Sequence, residues 1–344
     1  AILFMGWNMK MLLSGLVIAG ALLGAAPTQA FFWNWDRPES RTDVNFAFGA
    51  ATTNEASSLD SFALQDPQIA GLLAAIQATG LDAIGMEQQV QWAIATLNDV
   101  DPDSDLFWVY GGANNYVAGS EDPTLSPAEI GGILARLYDD LGARTFVVPN
   151  LPPLGILPFS APFPQEVRDG LNALTGAHNQ ILAGVLAQFA ADRPDATLIP
   201  VDVFSTFLGH LQSGEFSNVT DACTALIDPK DAAVPGICDG FLFIDDVHPA
   251  SPAWVPVAQD VADSLSAAGF EADRVISIGD SLSDTGALMD TWLRAVGFPF
   301  PAPPFTAGRF TEGPNVVDQL EELLDTPVRS QPFAQPYSVG FEAA

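Results

Sequence analysis

The chain has 344 residues, 48% of them hydrophobic and 16% charged, with 29 Gly and 27 Pro, which describes a globular chain with a large core and many turns and excludes a disordered or coiled-coil one. Lys and Arg number 12 against 42 Asp and Glu, leaving a formal charge of −30. A surface of that sign repels phosphate backbones and anionic headgroups, so nucleic acid is excluded as a partner.

In chain order, Lys10 precedes the apolar run Met11–Ala26, which closes on Pro27-Thr28-Gln29-Ala30. A charged start, a short apolar stretch and a small residue at the cut read as a bacterial-type secretory signal peptide over residues 1–30, with Met9 an alternative initiator. The run is shorter than the ~18–20 apolar residues of a membrane anchor, and no later segment is apolar enough to span a bilayer. The expected location is extracellular or periplasmic.

Val44–Phe48, Leu106–Tyr110, Thr145–Val148, Thr197–Val201 and Val275–Ile278 are apolar without clean alternation, as in strands of a parallel sheet covered on both faces. Between them, Ser126-Pro127-Ala128-Glu129 reads as a capping box opening a helix to about Asp140. Gln165–Ala191 reads as a long helix stopped by Arg193-Pro194, and Pro252–Ala268 as an amphipathic helix stopped by Gly269. Strands alternating with helices, and no internal repeat, predict one doubly wound α/β domain. The two cysteines, Cys223 and Cys238, flank Thr224–Ile237 and are expected to pair in an oxidising compartment. A reactive thiol or a metal pair is the weaker alternative, since no His or Cys cluster accompanies them. Asn218-Val219-Thr220 fits a glycosylation acceptor and reads as an ordinary loop.

The segment richest in chemistry is Val275-Ile276-Ser277-Ile278-Gly279-Asp280-Ser281-Leu282-Ser283-Asp284-Thr285-Gly286. A buried strand running into a Gly-Asp-Ser turn and then a helix puts Ser281 at the carboxyl end of a strand, where open α/β sheets bind ligands. Amide groups at a helix start there can stabilise an oxyanion. Alone, the tetrapeptide is most often a plain turn, and the G-x-S-x-G elbow is absent because Ser283 occupies its second Gly position. A nucleophilic Ser needs a base, and the histidines are His178, His210 and His248. The first two have no acidic neighbour in sequence and suit packing or surface roles. His248 stands in Asp245-Asp246-Val247-His248-Pro249, where an acid three residues back can reach Nδ1–H and fix the tautomer; the plain alternative is a solvated turn.

Gly279–Gly286 resembles the first signature block of the SGNH, or GDSL-type, lipases and esterases, and Gly308–Leu320 resembles the stretch that follows it in the lipase branch. Asn45–Thr52 is similar to the second block, Phe107–Asn115 to the third and Asp245–Pro249 to the last, while Val148–Pro152 resembles an intervening segment. The resemblance implies a single α/β/α sandwich with a mostly parallel central sheet, SGNH-hydrolase-like. It implies Ser281 as nucleophile, His248 as base, Asp245 as its orienting acid, and the amides of Gly49 and Ser281 with the Asn114 side chain as oxyanion donors. Ala50, Asn115, Ala287 and Glu312 depart from the family pattern, replacing Gly, Asp, Asn and Asn.

The block order departs further, because the Ser block at 275–320 follows His248 instead of opening the domain. Residues 31–344 therefore read as one circularly permuted SGNH-like domain, joined through Gly269–Asp273. The rival is a fragment of a tandem array in which residues 275–344 would pack as an appendage. The function implied is a secreted serine ester hydrolase, a lipase or esterase, with no cofactor or metal, acting on a small-molecule or lipid ester and monomeric. The Pro-rich stretches Pro149–Pro164 and Phe298–Phe305 are candidates for an acyl pocket wall or plain packed loops. Alternatives are a polysaccharide O-deacetylase, an acyltransferase, or an inactive binding or surface protein.

Overall fold

A computed structural model of the chain describes residues 44–333 apart from 65–66, 79–82, 298–299 and 328; the signal-peptide segment lies outside the described residues. The strands are β1 (Val44–Asn45), β2 (Asp105–Tyr110), β3 (Thr145–Pro149), β4 (Thr197–Val201), β5 (Asn218–Ala222), β6 (Phe241–Phe243), β7 (Arg274–Gly279) and β8 (Gln331–Pro332). Six of them form one parallel sheet in the order β4-β3-β2-β7-β1-β8, while β5 and β6 pair separately. The described helices of eight or more residues are α1 (Pro67–Ala78), α2 (Met86–Thr96), α3 (Leu125–Leu141), α4 (Gln165–Asp192), α5 (Val203–Ser213), α6 (Val255–Ala268), α7 (Ala287–Val296) and α8 (Val316–Leu323).

Side chains of a strand alternate between faces, and here both faces are apolar because both are covered. Leu106, Trp108 and Tyr110 of β2 pack with Val257, Val261 and Leu265 of α6 and Val316, Val317 and Leu320 of α8. Phe107 and Val109 pack on the other side with α2, α3 and α4 through Val90, Ile133, Leu137, Leu182 and Phe189. This is the doubly wound α/β/α sandwich the sequence predicts. No described helix is long and apolar enough to cross a membrane.

The segment after His248 returns to the sheet. Gly269, with φ +69°, ends α6; Phe270 N–H closes on Leu265 O at 3.0 Å and Asp273 N–H on Ser104 O at 3.0 Å, and the chain then enters the middle of the sheet as β7. Arg274 and Asp105 face each other in the β7–β2 register, buried, with Nε and one terminal nitrogen of the guanidinium each 2.7 Å from a carboxylate oxygen.

Several local expectations need correction. β1 stops at Asn45 because the Asn45 side chain captures the Ala47 amide at 3.0 Å, although Phe46 and Phe48 still donate to Ser277 O and Gly279 O. β4 is a partly exposed edge strand carrying Pro200, tolerated because only β3 pairs with it. Ser126 is not a cap: α3 begins at Leu125, and Glu129 instead binds the Thr53 hydroxyl. The capping box occurs at Asn315 and Asp318, opening α8. Pro252 lies in a 3₁₀ turn over Ser251–Trp254, so the α-helix starts at Val255. Asn218–Thr220 belongs to β5 and is not a loop.

Candidate active site

β7 lies between β2 and β1, so the loops that leave these three adjacent strands at their carboxyl ends share one edge of the sheet. Ser281 follows β7, Gly49 and Ala50 follow β1, and Asn114 follows β2. The exit of β7 is held tightly. Gln89 of α2 clasps Gly279 with its side-chain amide, accepting from the backbone N–H and donating to the carbonyl, both at 2.8 Å. Beyond Gly279 the chain makes one turn, with Ser283 N–H and Asp284 N–H both donating to Asp280 O at 3.0 Å. Trp108 Nε1 donates to Ser283 Oγ at 2.9 Å and Asn45 Nδ2 to Ser283 O at 2.7 Å. The turn is followed by a helix as expected, but further from Ser281: Gly286, with φ +136°, separates the turn from α7, which begins at Ala287.

His248 sits on a tight turn after β6, closed by Ile244 N–H to His248 O at 2.9 Å and Ala250 N–H to Leu242 O at 2.8 Å. Asp245 divides its oxygens. Oδ1 accepts from the amides of Val247 (2.9 Å) and His248 (2.7 Å), and Oδ2 lies 2.7 Å from His248 Nδ1. A carboxylate at that distance accepts a hydrogen bond from Nδ1–H, which keeps the hydrogen on Nδ1 and leaves Nε2 as an acceptor. Ser281 Oγ lies 2.7 Å from His248 Nε2. Ser281 and His248 are each 8% exposed, so the pair is largely screened from water.

The disulfide expected between Cys223 and Cys238 is formed, with Cα atoms 5.5 Å apart. It packs on Ile244, and Thr224 N–H donates to Ile244 O at 2.9 Å, so this loop braces the residue just before Asp245.

The groups expected as oxyanion donors differ in what they already bind. The Gly49 amide is already spent, donating to Asp284 Oδ2 at 2.8 Å. Asp284 also accepts from Gly286 and Ala287 at 2.7 Å and from Leu288 at 3.1 Å. Burial pushes its carboxyl up to about 6 while those four amides favour the ionised form. Ala50, one residue on, has φ +69°, and its N–H meets no protein acceptor among the described residues; the same is true of the Ser281 amide. Asn114 uses one Nδ2 hydrogen on Ala51 O at 2.9 Å and keeps the other. Asn115, where the family pattern has Asp, ties the Ala50 loop to the β2 exit: Oδ1 accepts from Thr53 N at 3.1 Å and Nδ2 donates to Thr53 Oγ1 at 2.8 Å.

Neither other histidine reaches Ser281. His178 is fully buried, with Nδ1 at 2.8 Å from Tyr116 OH, and desolvation lowers its pKa to about 4. His210 Nε2 lies 3.0 Å from Ala253 O, and Nδ1 has an acidic neighbour after all in Glu215 at 3.5 Å. Asp280 is buried beside the site, and its carboxyl is pushed up to about 6 by burial, against the Leu282 amide and the His248 charge. Glu312 accepts from Ser251 N at 3.1 and 3.2 Å, tying the stretch after the Ser block to the segment after His248. Among the described residues no His, Cys, Asp and Glu group is arranged to hold a metal ion.

A family model described as GDSL-like Lipase/Acylhydrolase matches residues 23–253, more than half of the chain. The chain belongs to this family. A GDSL esterase/lipase of Arabidopsis thaliana is 29% identical over 142 residues, covering 39% of this chain and 39% of its own. A second from the same plant is 26% identical over 187 residues, covering 46% and 52%. The inactive GDSL esterase/lipase-like protein 23 of Arabidopsis thaliana is 26% identical over 192 residues, covering 49% and 45%. The chain thus spans about half or less of the length of these relatives.

Sequence reasoning missed Gln89, Trp108, Ala50 and Asp284 as an anchor. Only Ala50 carried a local signal, as Ala in a Gly position beside a turn. The others act through contacts between segments far apart in sequence.

Proposed function

We propose that this GDSL-family chain is a secreted serine ester hydrolase that cleaves carboxylic esters through an acyl-enzyme on Ser281. The observation that carries the reading is the linear relay Ser281 Oγ to His248 Nε2 and His248 Nδ1 to Asp245 Oδ2, both at 2.7 Å. Ser281 Oγ bonds to the ester carbonyl carbon as its proton passes to His248 Nε2, and the carbonyl electron pair moves onto oxygen. Asp245 balances the imidazolium. The amides of Ala50 and Ser281 and the free Nδ2 hydrogen of Asn114 are assigned to the oxyanion; losing one such donor typically costs about 2.7–4 kcal/mol. His248 then gives its proton to the leaving alkoxide, and water repeats the sequence to free the acid. The disulfide agrees with export to an oxidising compartment.

Residues 31–344 are further read as one permuted domain. The central position of β7 and the short Gly269–Asp273 join support this. One relative is named inactive, so turnover is the deciding measurement. A p-nitrophenyl ester chain-length panel, with and without a competing alcohol, is expected to show hydrolysis abolished in Ser281→Ala. A serine-directed phosphonate is expected to label Ser281 at a rate independent of protein concentration. Unlabelled wild-type protein would move the reading to a binding protein, and concentration-dependent labelling to a site shared between copies.

A further inference from the structure

The Phe310 ring stacks on the His248 imidazole, with centroids 4.9 Å apart and planes 29° from parallel. It is only 8% exposed. Its far edge lies against the β1 exit, where a Cβ on Gly49 would come within 2.8 and 2.9 Å of Phe310 Cε2 and Cζ. One ring therefore touches both the base and the loop that carries the Ala50 amide.

The residues flanking Phe310 are tied down, and two further rings pack on its own. Arg309 before it donates to Asp318 at 2.8 and 3.0 Å and to Thr285 O at 2.9 Å. Thr311 after it accepts from Thr306 N–H at 2.8 Å through its carbonyl. Phe300 and Phe305 meet it edge-on at 6.1 and 6.3 Å. A merely space-filling residue needs none of this orientation.

We propose that Phe310 is a positioning residue for His248: it fixes the plane of the imidazole, keeps water off that face, and offers its π face to the positive charge that appears when the Ser281 proton reaches Nε2. An aromatic face attracts a cation, and more strongly where both are desolvated. Neutral imidazole feels the stacking but not this added attraction to charge, so the contact is stronger in the transition state than in the resting enzyme and belongs in kcat. The inference rests on His248 being the base.

The test compares Phe310→Leu, which keeps apolar bulk without the π face, with Phe310→Tyr, which keeps the ring. Phe310→Leu is expected to lower kcat about five- to thirty-fold with KM within about two-fold. Phe310→Tyr is expected to restore most of the kcat loss while lowering thermal stability, because its hydroxyl leaves Cζ, the atom packed against Gly49. In wild-type NMR spectra the His248 ring protons are expected upfield from ring-current shielding, and that shift should vanish in the Leu variant. If Leu leaves a void that prevents folding, Phe310→Met serves the same comparison. Wild-type kcat in the Leu or Met variant, a loss confined to KM, or no rescue by a Tyr variant that keeps the His248 upfield shift would overturn the proposal. His248→Ala run alongside separates the two readings: activity surviving that change removes the base itself, whereas its loss with an indifferent Phe310 removes only the role of the ring.

Discussion

The amide of Gly49 donates to the carboxylate of Asp284 at 2.8 Å across 235 positions of sequence, and this bond decides which neighbouring amide is left for a ligand. Asp284 gathers four amides from both sides of the site. Asp284→Asn would aim an N–H₂ group at donors and strand at least one buried amide. The expected loss is about 1–3 kcal/mol of stability, with kcat falling as the Ala50 loop shifts. Denaturant midpoints and kcat for the variant check this, and an unchanged midpoint would refute it.

Ala50 holds φ +69° without being Gly, a conformation that costs an L-residue roughly 1–2 kcal/mol. Part of that returns as the entropy Gly loses on folding. Ala50→Gly is therefore expected to stabilise by about 0.5–1 kcal/mol and to leave kcat at or above wild type. Gly49→Ala has the opposite sign, since its Cβ would lie 2.6 Å from Leu288 Cδ2 as well as against Phe310. Paired thermal melts and ester hydrolysis rates distinguish the two.

Ser281→Ala and His248→Ala are expected to abolish most hydrolysis with the fold intact. His178→Ala should instead cost about 2–4 kcal/mol of stability, by leaving a cavity and an unpaired Tyr116 hydroxyl, while the folded fraction keeps its kcat. Equal kinetic losses from His178 and His248 would contradict the assignment of the base.

The legible parts were those set by local sequence. β2, β3 and β7 announce themselves as apolar runs because both of their faces are covered, and the Asp245–His248 spacing describes its own turn. β8 is two residues long and includes Pro332, too little pattern to read. β5 was hidden by its polar residues. The choice between the Gly49 and Ala50 amides turns on Asp284, and the stop of β1 on the Asn45 side chain. The Gln89 clasp on Gly279 spans 190 positions, and no local spacing encodes such a contact.

The Cys223–Cys238 bond closes a 15-residue separation, for which the chain-entropy model gives about 3 kcal/mol. Replacing both cysteines with Ser is expected to lower stability by roughly that amount and to loosen the Asp245 turn through Ile244. Chemical denaturation of the double variant measures the first effect. A pair of free thiols in the exported protein would remove the premise.

Acidity of the surface gives a salt prediction: with a formal charge of −30, self-repulsion is screened as ionic strength rises, because the Debye length shrinks from ~10 Å at 0.1 M to ~3 Å at 1 M. The thermal midpoint should rise with added NaCl, and a steady fall would contradict it.

Stability should also depend on pH in a direction unusual for carboxylate-rich proteins. Burial raises Asp280 and Asp284 to about 6 and Glu321 to about 7; Asp246, half-buried beside Asp245, also rises to about 6. An acid whose folded pKa exceeds its unfolded value, near 3.8 for Asp and 4.5 for Glu, holds more protons folded than unfolded between the two. Its stabilising effect is present below the unfolded pKa and is lost as pH rises through the folded one. His178 opposes this: held down to about 4 by burial from 6.5, it makes the folded state gain stability as pH rises across that interval. Four carboxylates against one imidazole set the sign, and the growing negative charge adds to it. The thermal midpoint is therefore expected to fall as pH rises from about 5 to about 8. Glu321→Gln should flatten the upper part of that slope, because Glu321, which accepts from Ser330 N at 2.9 Å, titrates last. A midpoint that climbs over the same range would show that these buried groups are ionised in the folded protein at no cost.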